Sequence, residues 1–580
     1  MNIAISSGKG GTGKTFIATN LARIFSERFS QVCYLDCDVE EPNGHLFLSP
    51  QEVEEEEVKL PAPSEVDEQK CINCGKCAEV CSYNAIAVLK NKVLIFKELC
   101  HACGACSIVC PANAIVEKER KIGVVKKGKN KNLNIYYALL GTAEGGMSPR
   151  LVKKVRAFAG EGINLLDSSP GTSCPVVETV KEGQEPVVVV NRAEYMDTAL
   201  KEYCDEEQLD IIGEIPDERR VAEAYSRGEL AVERFPEFKD MFGKLADKIL
   251  ILAGQKREVK KRKKTGKPSL GEITKSTTKY TDQYVEKPKE LVVISGKGGT
   301  GKTSLTASFA ALAKPIIISD CDVDAADLHL VLSPQVEEKG FFSGGVEAKI
   351  DQARCVGCGR CKEACKFAAV EERNQNGKKE YIINKLACEG CGVCKLVCEY
   401  NAVKTKPAVN GEWFVSDTRH GPMSHAKLGV AEENSGRLVT LVRENSYPLA
   451  KRINKKRALI DGAPGTGCPV ISSITGADFA LVVTEPTVSG MHDLERVFQL
   501  VKHFGVRSGV VVNKYDLNQE LTEEIEELAK RYHSEFMGRV PYGKEVTEAQ
   551  MQKLSVVEYT NTALTDSIKE IWKKIDKIYQ

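Results

Sequence analysis

SSGKGGTGKT at residues 6–15 and SGKGGTGKT at residues 295–303 are nearly the same letters written twice in one chain. Each follows an apolar stretch, Asn2-Ile3-Ala4-Ile5 and Leu291-Val292-Val293-Ile294, and the first runs into a helical pattern, Phe16-Ile17-Ala18-Thr19-Asn20-Leu21-Ala22. Strand, glycine-rich turn and helix form the context in which G-x-x-x-x-G-K-[ST] cradles phosphate. Gly8, Gly10, Gly11, Thr12 and Gly13 offer backbone N–H groups to an anion at a helix N-terminus, Lys14 reaches the β- and γ-phosphates, and the Thr15 hydroxyl suits Mg²⁺. Gly296, Gly298, Gly299, Thr300, Gly301, Lys302 and Thr303 repeat the set. Each copy also holds a lysine that one nucleotide does not require, Lys9 and Lys297.

The repetition extends outward from the loops. Strand, phosphate loop, D-C-D, L-S-P, two cysteine clusters, D-x-x-P-G-T-x-C-P and N-[RK] follow one another up to about residue 250, and again from about 290. The expected organisation is therefore a first unit at 1–255, a polar linker at 256–288 and a second unit at 289–580. The linker starts basic and has no apolar periodicity, as a mobile tether would. Length agrees, since 580 residues exceed what one domain usually holds. With 81 basic and 81 acidic side chains, no net charge argues for nucleic acid or an anionic membrane as partner. No apolar run approaches a membrane span, and the first phosphate loop lies within ten residues of Met1, so the expectation is a cytoplasmic chain without a signal peptide.

The extra lysines make the loops resemble the deviant Walker A motif of the MinD/ParA/Mrp/nitrogenase-iron-protein family of dimeric P-loop ATPases. The likeness covers both units almost end to end. It implies a doubly wound α/β fold with mostly parallel sheets, ATP and Mg²⁺ as ligands, ATP hydrolysis, and a first lysine that crosses a dimer interface to the other nucleotide. Asp36-Cys37-Asp38 and Asp320-Cys321-Asp322 match its switch I. By that resemblance Asp38 and Asp322 orient the attacking water, while Asp36 and Asp320 belong to the Mg²⁺ shell. Asp167 to Gly171 and Asp461 to Gly465 match switch II, whose aspartate supports Mg²⁺ and whose glycine senses the γ-phosphate. Asn191 and Asn513 match the position that contacts the base, favouring adenine. Two such units in one chain imply an intramolecular pseudo-dimer, with Lys9 serving the second nucleotide and Lys297 the first. A flexible tether of about 35 residues spans roughly 30 Å, enough to permit the pairing.

Twenty-two cysteines are many for a compartment in which disulfides rarely persist, so metal ligation is the first expectation. Cys71-Cys74-Cys77-Cys81 and Cys100-Cys103-Cys106-Cys110 are both C-x2-C-x2-C-x3-C, as are Cys355-Cys358-Cys361-Cys365 and Cys388-Cys391-Cys394-Cys398. In that spacing three cysteines hold one [4Fe-4S] cluster and the fourth ligates its neighbour. Four clusters follow. Cys71, Cys74 and Cys77 pair with Cys110, and Cys100, Cys103 and Cys106 with Cys81; Cys355, Cys358 and Cys361 pair with Cys398, and Cys388, Cys391 and Cys394 with Cys365. Zinc is the competing reading, but its sites usually show two C-x-x-C pairs separated by a loop. The pattern resembles a two-cluster bacterial ferredoxin, a small α+β module inserted into each unit at about 66–118 and about 348–405. Short hairpins are expected between the quartets, around Lys90-Asn91 and Asn376-Gly377. Cys37, Cys321, Cys174 and Cys468, beside the expected nucleotides, read as small buried residues; Cys33 and Cys204 match no repeated position.

The copies differ in one place. From Pro175 to Pro216 the first is about 30 residues shorter than the second from Pro469 to Pro541, lacking the strand and helix at Ala480–Thr484 through Phe504. The first unit is therefore expected to lose one sheet strand, with altered nucleotide geometry or slower hydrolysis. Both units end in an apolar stripe, Phe238, Met241, Leu245, Ile249 and Leu564, Ile568, Ile571, Ile575, Ile578. The second stripe is similar to a membrane-targeting helix of MinD, yet its repetition favours a final helix packed on its own sheet. The functional expectation is an iron-sulfur ATPase coupling ATP hydrolysis to electron transfer, with a redox protein as partner. The alternatives are an ATP-dependent cluster carrier serving a cluster-accepting protein, and a MinD-like positioning or redox-sensing ATPase.

Overall fold

In a computed structural model of the chain, both P-loop strands lie in twisted sheets assembled from the apolar runs. The structure describes residues 1–89, 92–141, 144, 147–171, 174–180, 186–196, 198–254, 287–375, 378–385, 387–429, 432 and 435–579; the linker and both hairpin turns expected from the sequence lie outside them. The first sheet has the spatial order Asn2–Ile5, Ile163–Asp167, Val32–Asp36, Leu133–Leu140, Ile115–Asn130, Gln51–Val66. Its first four strands are parallel and the last two antiparallel. The second sheet has nine strands: Gln335–Phe342, Gly411–Thr418, Gly421–Leu428, Ile317–Asp320, Arg457–Pro464, Lys289–Ser295, Phe479–Thr484, Arg507–Asn513 and Glu535–Val540. Antiparallel pairing is confined to its first three strands. This is a mixed α/β fold in two units with parallel-rich sheets.

The helix after each loop, Lys14–Arg28 and Lys302–Ala313, starts directly on a glycine, Gly13 at φ 95° and Gly301 at φ 90°. Only glycine enters that left-handed region without a Cβ penalty, which sets where the loop stops and the helix begins. Ile17, Leu21 and Phe25 of the first helix and Leu305 and Phe309 of the second are buried against their sheets. The terminal apolar stripes join the same cores. Phe238, Phe242 and Leu245 of Pro236–Gly254 are buried in the first unit, and Leu564, Ile568, Ile571 and Ile575 of Ala563–Tyr579 in the second. Among the described residues no helix is long and apolar enough to cross a membrane.

The shortened copy has a visible cost. In the second unit Phe479–Thr484 lies between the P-loop strand and Arg507–Asn513. Among the described residues the first unit shows no such strand, its sheet ends at Asn2–Ile5, and Val188–Asn191 and Ile211–Ile215 pair only with each other. The P-loop strand of the second unit is buried from Leu291 to Ile294, whereas that of the first is partly exposed throughout.

The cysteine quartets sit at the ends of antiparallel arms. In the first unit Gln51–Val66 and Ile115–Asn130 form a 16-residue ribbon laced by the ion pairs Glu54–Lys127, Glu57–Lys121 and Glu65–Lys118. Beyond it come Lys76–Glu79, the hairpin Ile86–Leu89 with Lys92–Ile95, and Ala105–Val109. The second arm is broken into Gln335–Phe342 and Val346–Ile350, returning as Val403–Pro407 and Gly411–Thr418. It carries Arg360–Ala364, the hairpin Val370–Gln375 with Lys378–Ile383, and Val393–Leu396.

Because Ile568 is 2% exposed within the second core, Ile568→Ala removes packing that cannot fully collapse. A loss of about 2 to 4 kcal/mol is expected in urea unfolding followed by a probe in the second unit, with no change in sedimentation with anionic vesicles.

Candidate functional site

The two P-loops meet glycine to glycine. A Cβ on Gly10 would lie 2.6 Å from the Cα of Gly298, and one on Gly11 2.4 Å from the Cα of Gly299. Backbones can approach this closely only where side chains are missing. The contact faces each loop toward the carboxylates of the other unit.

Lys9 pairs with Asp327 of the second unit and stands among Asp322, Asp461 and Asp320. Lys297 stands in the first unit's site near Asp38, Glu41 and Lys14. Burial works against its ammonium, but Tyr225, Asp493, Glu41 and Asp38 outweigh that and raise it above the ordinary lysine range. Its buried Nζ makes no hydrogen bond. The two lysines therefore exchange sites, each leaving its own loop.

Around each loop the carboxylates gather as the strands dictate. Asp36 and Asp167 end adjacent parallel strands in register, as do Asp320 and Asp461. Lys302 bonds Asp461 at 2.8 Å, and Thr303 donates to the same carboxylate at 2.8 Å. In the first unit Asp167 is instead held by the Tyr34 hydroxyl at 2.8 Å and by Thr15. Burial and then the neighbouring carboxylates, Asp167 and Asp461 respectively, push Asp36 and Asp320 far above the usual carboxylate range. Asp167 Oδ1 and Asp320 Oδ2 are buried without a hydrogen-bond partner. In each buried pair one acid thus keeps a free oxygen, and these oxygens could take a divalent cation, whose charge would reverse those shifts. Burial, opposed first by Lys14, also pushes Asp38 up to about 7.

Gly171 and Gly465 both adopt φ 94°, and each faces the other unit's switch I: Asp324 beside Gly171, Glu40 and Glu41 beside Gly465. Asn191 and Asn513 donate to the carbonyls of Thr12 and Thr300, both at 2.8 Å. They brace the P-loops here, a contact that the sequence does not announce. Gly8 and Gly296 open the loops, with nothing within 4 Å of a Cβ on Gly8 and Asp493 crowding Gly296. Cys37 and Cys321 are completely buried among apolar residues of their cores.

Several contact residues carry no motif and were not anticipated. Asp493 accepts from Asn43 at 3.0 Å, and Arg496 donates to the Glu40 and Leu140 carbonyls. Both lie on Val488–His503, a helix without a counterpart among the described residues of the first unit. Their only sequence signal is that they fall in the one segment without a counterpart.

In the first arm the quartets form two neighbourhoods, and in the second Cys365 lies with the last quartet. Burial is the main reason the Cys77, Cys106 and Cys394 thiols are raised, and the charges that add to it come from Cys110 and Cys71, from Cys103, Cys100 and Cys81, and from Cys388, Cys365 and Cys361. Cys110 thus lies with the first quartet, and Cys81 with the second. A small apolar cavity is lined by Cys71, Cys74, Cys77, Cys110, Val93 and Ile115. Gly75, Gly104, Gly359 and Gly392, each preceding a third cysteine, all have φ between 73° and 80°. Backbone N–H groups of Ala85, Ala102, Ala114 and Ala369 point at Cys81, Cys100, Cys110 and Cys365, at 3.2 to 3.4 Å. Among the described residues no three His, Cys, Asp or Glu side chains converge closely enough to hold a single metal ion.

Two facing P-loops, exchanged lysines and paired aspartates define a P-loop nucleotide-binding protein with two sites at one interface. The chain belongs to the family described as the CobQ/CobB/MinD/ParA nucleotide binding domain, whose profile matches residues 3–232 and again 291–556. Two proteins of Methanocaldococcus jannaschii are similar over about half of this chain and nearly all of their own. "Uncharacterized protein MJ0578" is 33% identical over 291 residues, covering 49% of this chain and 96% of the relative; "Uncharacterized protein MJ0579" is 26% identical over 285, covering 48% and 95%. Among solved structures, the MinD cell division protein of Aquifex aeolicus is 17% identical, with TM-score 0.30, over 50% of this chain and 97% of its own. The cell division ATPase MinD of Pyrococcus furiosus is 16% identical, with TM-score 0.31, over 50% and 99%.

Burial, Asp322 and Glu40 push Asp324 up to about 7, above the value near 4 that it takes in an unfolded chain. The folded state then holds a proton that the unfolded state has released, so this group's contribution falls as pH rises from about 4 to about 7. Without nucleotide or metal, the melting temperature of the wild type should fall between pH 5 and pH 7.5 more steeply than that of Asp324→Asn; parallel slopes would contradict the assignment.

Proposed function

We propose that the chain is an ATPase whose halves act as one intramolecular pair, and that ATP binding and hydrolysis gate single-electron transfer through four [4Fe-4S] clusters on its arms. The placement of the arms carries this reading. Asp36-Cys37-Asp38 and Asp320-Cys321-Asp322 lead through the short helices Gly44–Leu48 and Leu328–Leu332 into the arm strands at Gln51 and Gln335, and the residues right after the motifs, Glu40, Glu41 and Asp324, lie against the opposite unit's Gly465 and Gly171. A γ-phosphate that orders these segments acts on both arms through backbone, as switch loops do elsewhere.

The residues fit the groups. Lys14 and Lys302 hold phosphates within their own loops, while Lys9 and Lys297 reach across, the latter with a buried ammonium free to take an anion. Thr15 with Asp36 and Asp167, and Thr303 with Asp320 and Asp461, would hold Mg²⁺. Asp38 and Asp322 are the carboxylates placed to orient water. Asp38, held near neutrality by its buried setting, can also accept a proton from it. For the clusters, the crossed grouping of the quartets, the cavity around the first and the N–H groups aimed at sulfur match what thiolate ligands require. Such clusters store and pass single electrons at low potential. Adenine as base, a redox protein as partner and a cytoplasmic setting belong to the same reading.

One observation favours a second reading. Cys74 and Cys358 are exposed, as in a site that hands its cluster to a cluster-accepting protein. Loss of iron to an apo-acceptor only during ATP turnover would establish that role.

The primary test is an anaerobic EPR redox titration of the iron-loaded chain with MgATP and with MgADP. A nucleotide-dependent change in potential or line shape is expected. Lys302→Ala should abolish it and weaken ATP binding at least tenfold with iron content intact, and Lys9→Ala should slow hydrolysis on the order of a hundredfold. Identical titrations with both nucleotides would sink the electron-gate reading.

A further inference from the structure

The arms meet each other as well as the nucleotide sites. The Tyr83 hydroxyl of the first arm donates to the Glu389 carbonyl of the second at 3.2 Å, in a buried setting. Tyr83 stacks on His101 with ring centroids 3.8 Å apart, and His101 Nδ1 lies 3.4 Å from the Glu389 carboxylate. Arg150 donates to the His101 carbonyl at 3.0 Å and lies 4.6 Å over the Phe367 ring. Arg437 of the second unit donates to the Ser82 carbonyl at 2.9 Å. Inside this seam, where Ala105–Val109 packs on Val393–Leu396, Cys103 and Cys391 lie side by side, each the second cysteine of its arm's second quartet.

The helices give the order. Lys76–Glu79 packs on Ala105–Val109, which packs across the seam on Val393–Leu396, which packs on Arg360–Ala364. The four quartets therefore run in one row, first, second, fourth, third. At the outer ends Cys74 and Cys358 are exposed, beside Ile72 and Val356, which are 64% and 55% exposed. At the centre the corresponding second cysteines, Cys103 and Cys391, are half-buried.

We propose that Cys103 and Cys391 bring the two central clusters into direct electronic contact, making the chain one four-cluster conductor with a terminal at each arm. This rests on the cluster reading given above. One electron crossing the seam oxidises one central cluster by one unit and reduces the other by one, with no bond made or broken and no proton transferred. An external one-electron donor supplies it at one exposed end, and an external one-electron acceptor removes it at the other. Lengthwise conduction differs from two arms working separately, because it requires both units of the same chain.

The test isolates the central pair. In the full-length chain Cys71, Cys74, Cys355 and Cys358 are changed to Ala, and the protein is loaded with iron and sulfide and reduced with dithionite. About eight irons per chain and a spin-coupled EPR spectrum with a half-field transition are expected, the latter lost when Cys388→Ala and Cys391→Ala are added. About eight irons with two independent signals would overturn the coupling while leaving the cluster reading intact. A wild-type chain that assembles no cluster overturns both. The juxtaposition is checked separately in the metal-free wild type. There diamide should take two electrons and two protons from Cys103 and Cys391, leaving a disulfide between their peptides in the mass spectrum; its absence with both thiols modified by iodoacetamide would refute the contact.

Discussion

Everything at the interface follows from two backbones that touch where they have no side chains. Gly10 on Gly298 and Gly11 on Gly299 bring the P-loops closer than any other residue permits. At that separation Lys9 and Lys297 each reach carboxylates of the opposite unit. The segments after each D-C-D motif are then pressed on the opposite glycine turns, and the arms that grow from them are brought side by side. The glycines of the two P-loops thus set the separation of the two units.

Much of the fold was legible because its signals are local and repeated. A strand, a glycine turn and a helix in tandem fix the nucleotide fold, and the missing segment after Pro175 marks where the first sheet breaks. The terminal helices were legible from their stripes. The long ribbon was not. QEVEEEEVKLPAPSEV has no alternation of apolar residues to mark a strand, and its pairing rests on a ladder of glutamates against the lysines of the returning strand. Exposed pairs of that kind add little stability each, so they leave little trace in composition. The seam residues were hidden for another reason. Tyr83, His101, Arg150 and Glu389 acquire meaning only when two arms meet, and no spacing within either arm encodes that meeting. Asp327, the partner of Lys9, stands seven residues past Asp320 in a stretch that the first unit writes as Asn43.

The two units are unequal partners. The helix Val488–His503 lets the second unit grip the first through Asp493 and Arg496, and among the described residues the first shows no counterpart of that helix, holding the second instead through Arg150 and Arg219. Lys297 consequently lies beside a carboxylate of its own unit as well as those of the other, while Lys9 depends on the second unit alone. Duplication inside one chain allows such divergence, since neither half has to pair with a copy of itself.

The gap in the first sheet also bears on how the molecule breathes. Among the described residues Asn2–Ile5 has a strand on one side only, whereas Lys289–Ser295 is clamped on both. Amides on an edge open at lower free energy than those inside a ladder, so the N-terminal P-loop hangs from the softer of two otherwise equivalent supports. Hydrogen exchange in the unliganded chain would begin at that strand, and a ligand stiffening it would be felt more there than at the second loop. The two P-loops of one chain thus hang from supports of unequal stiffness.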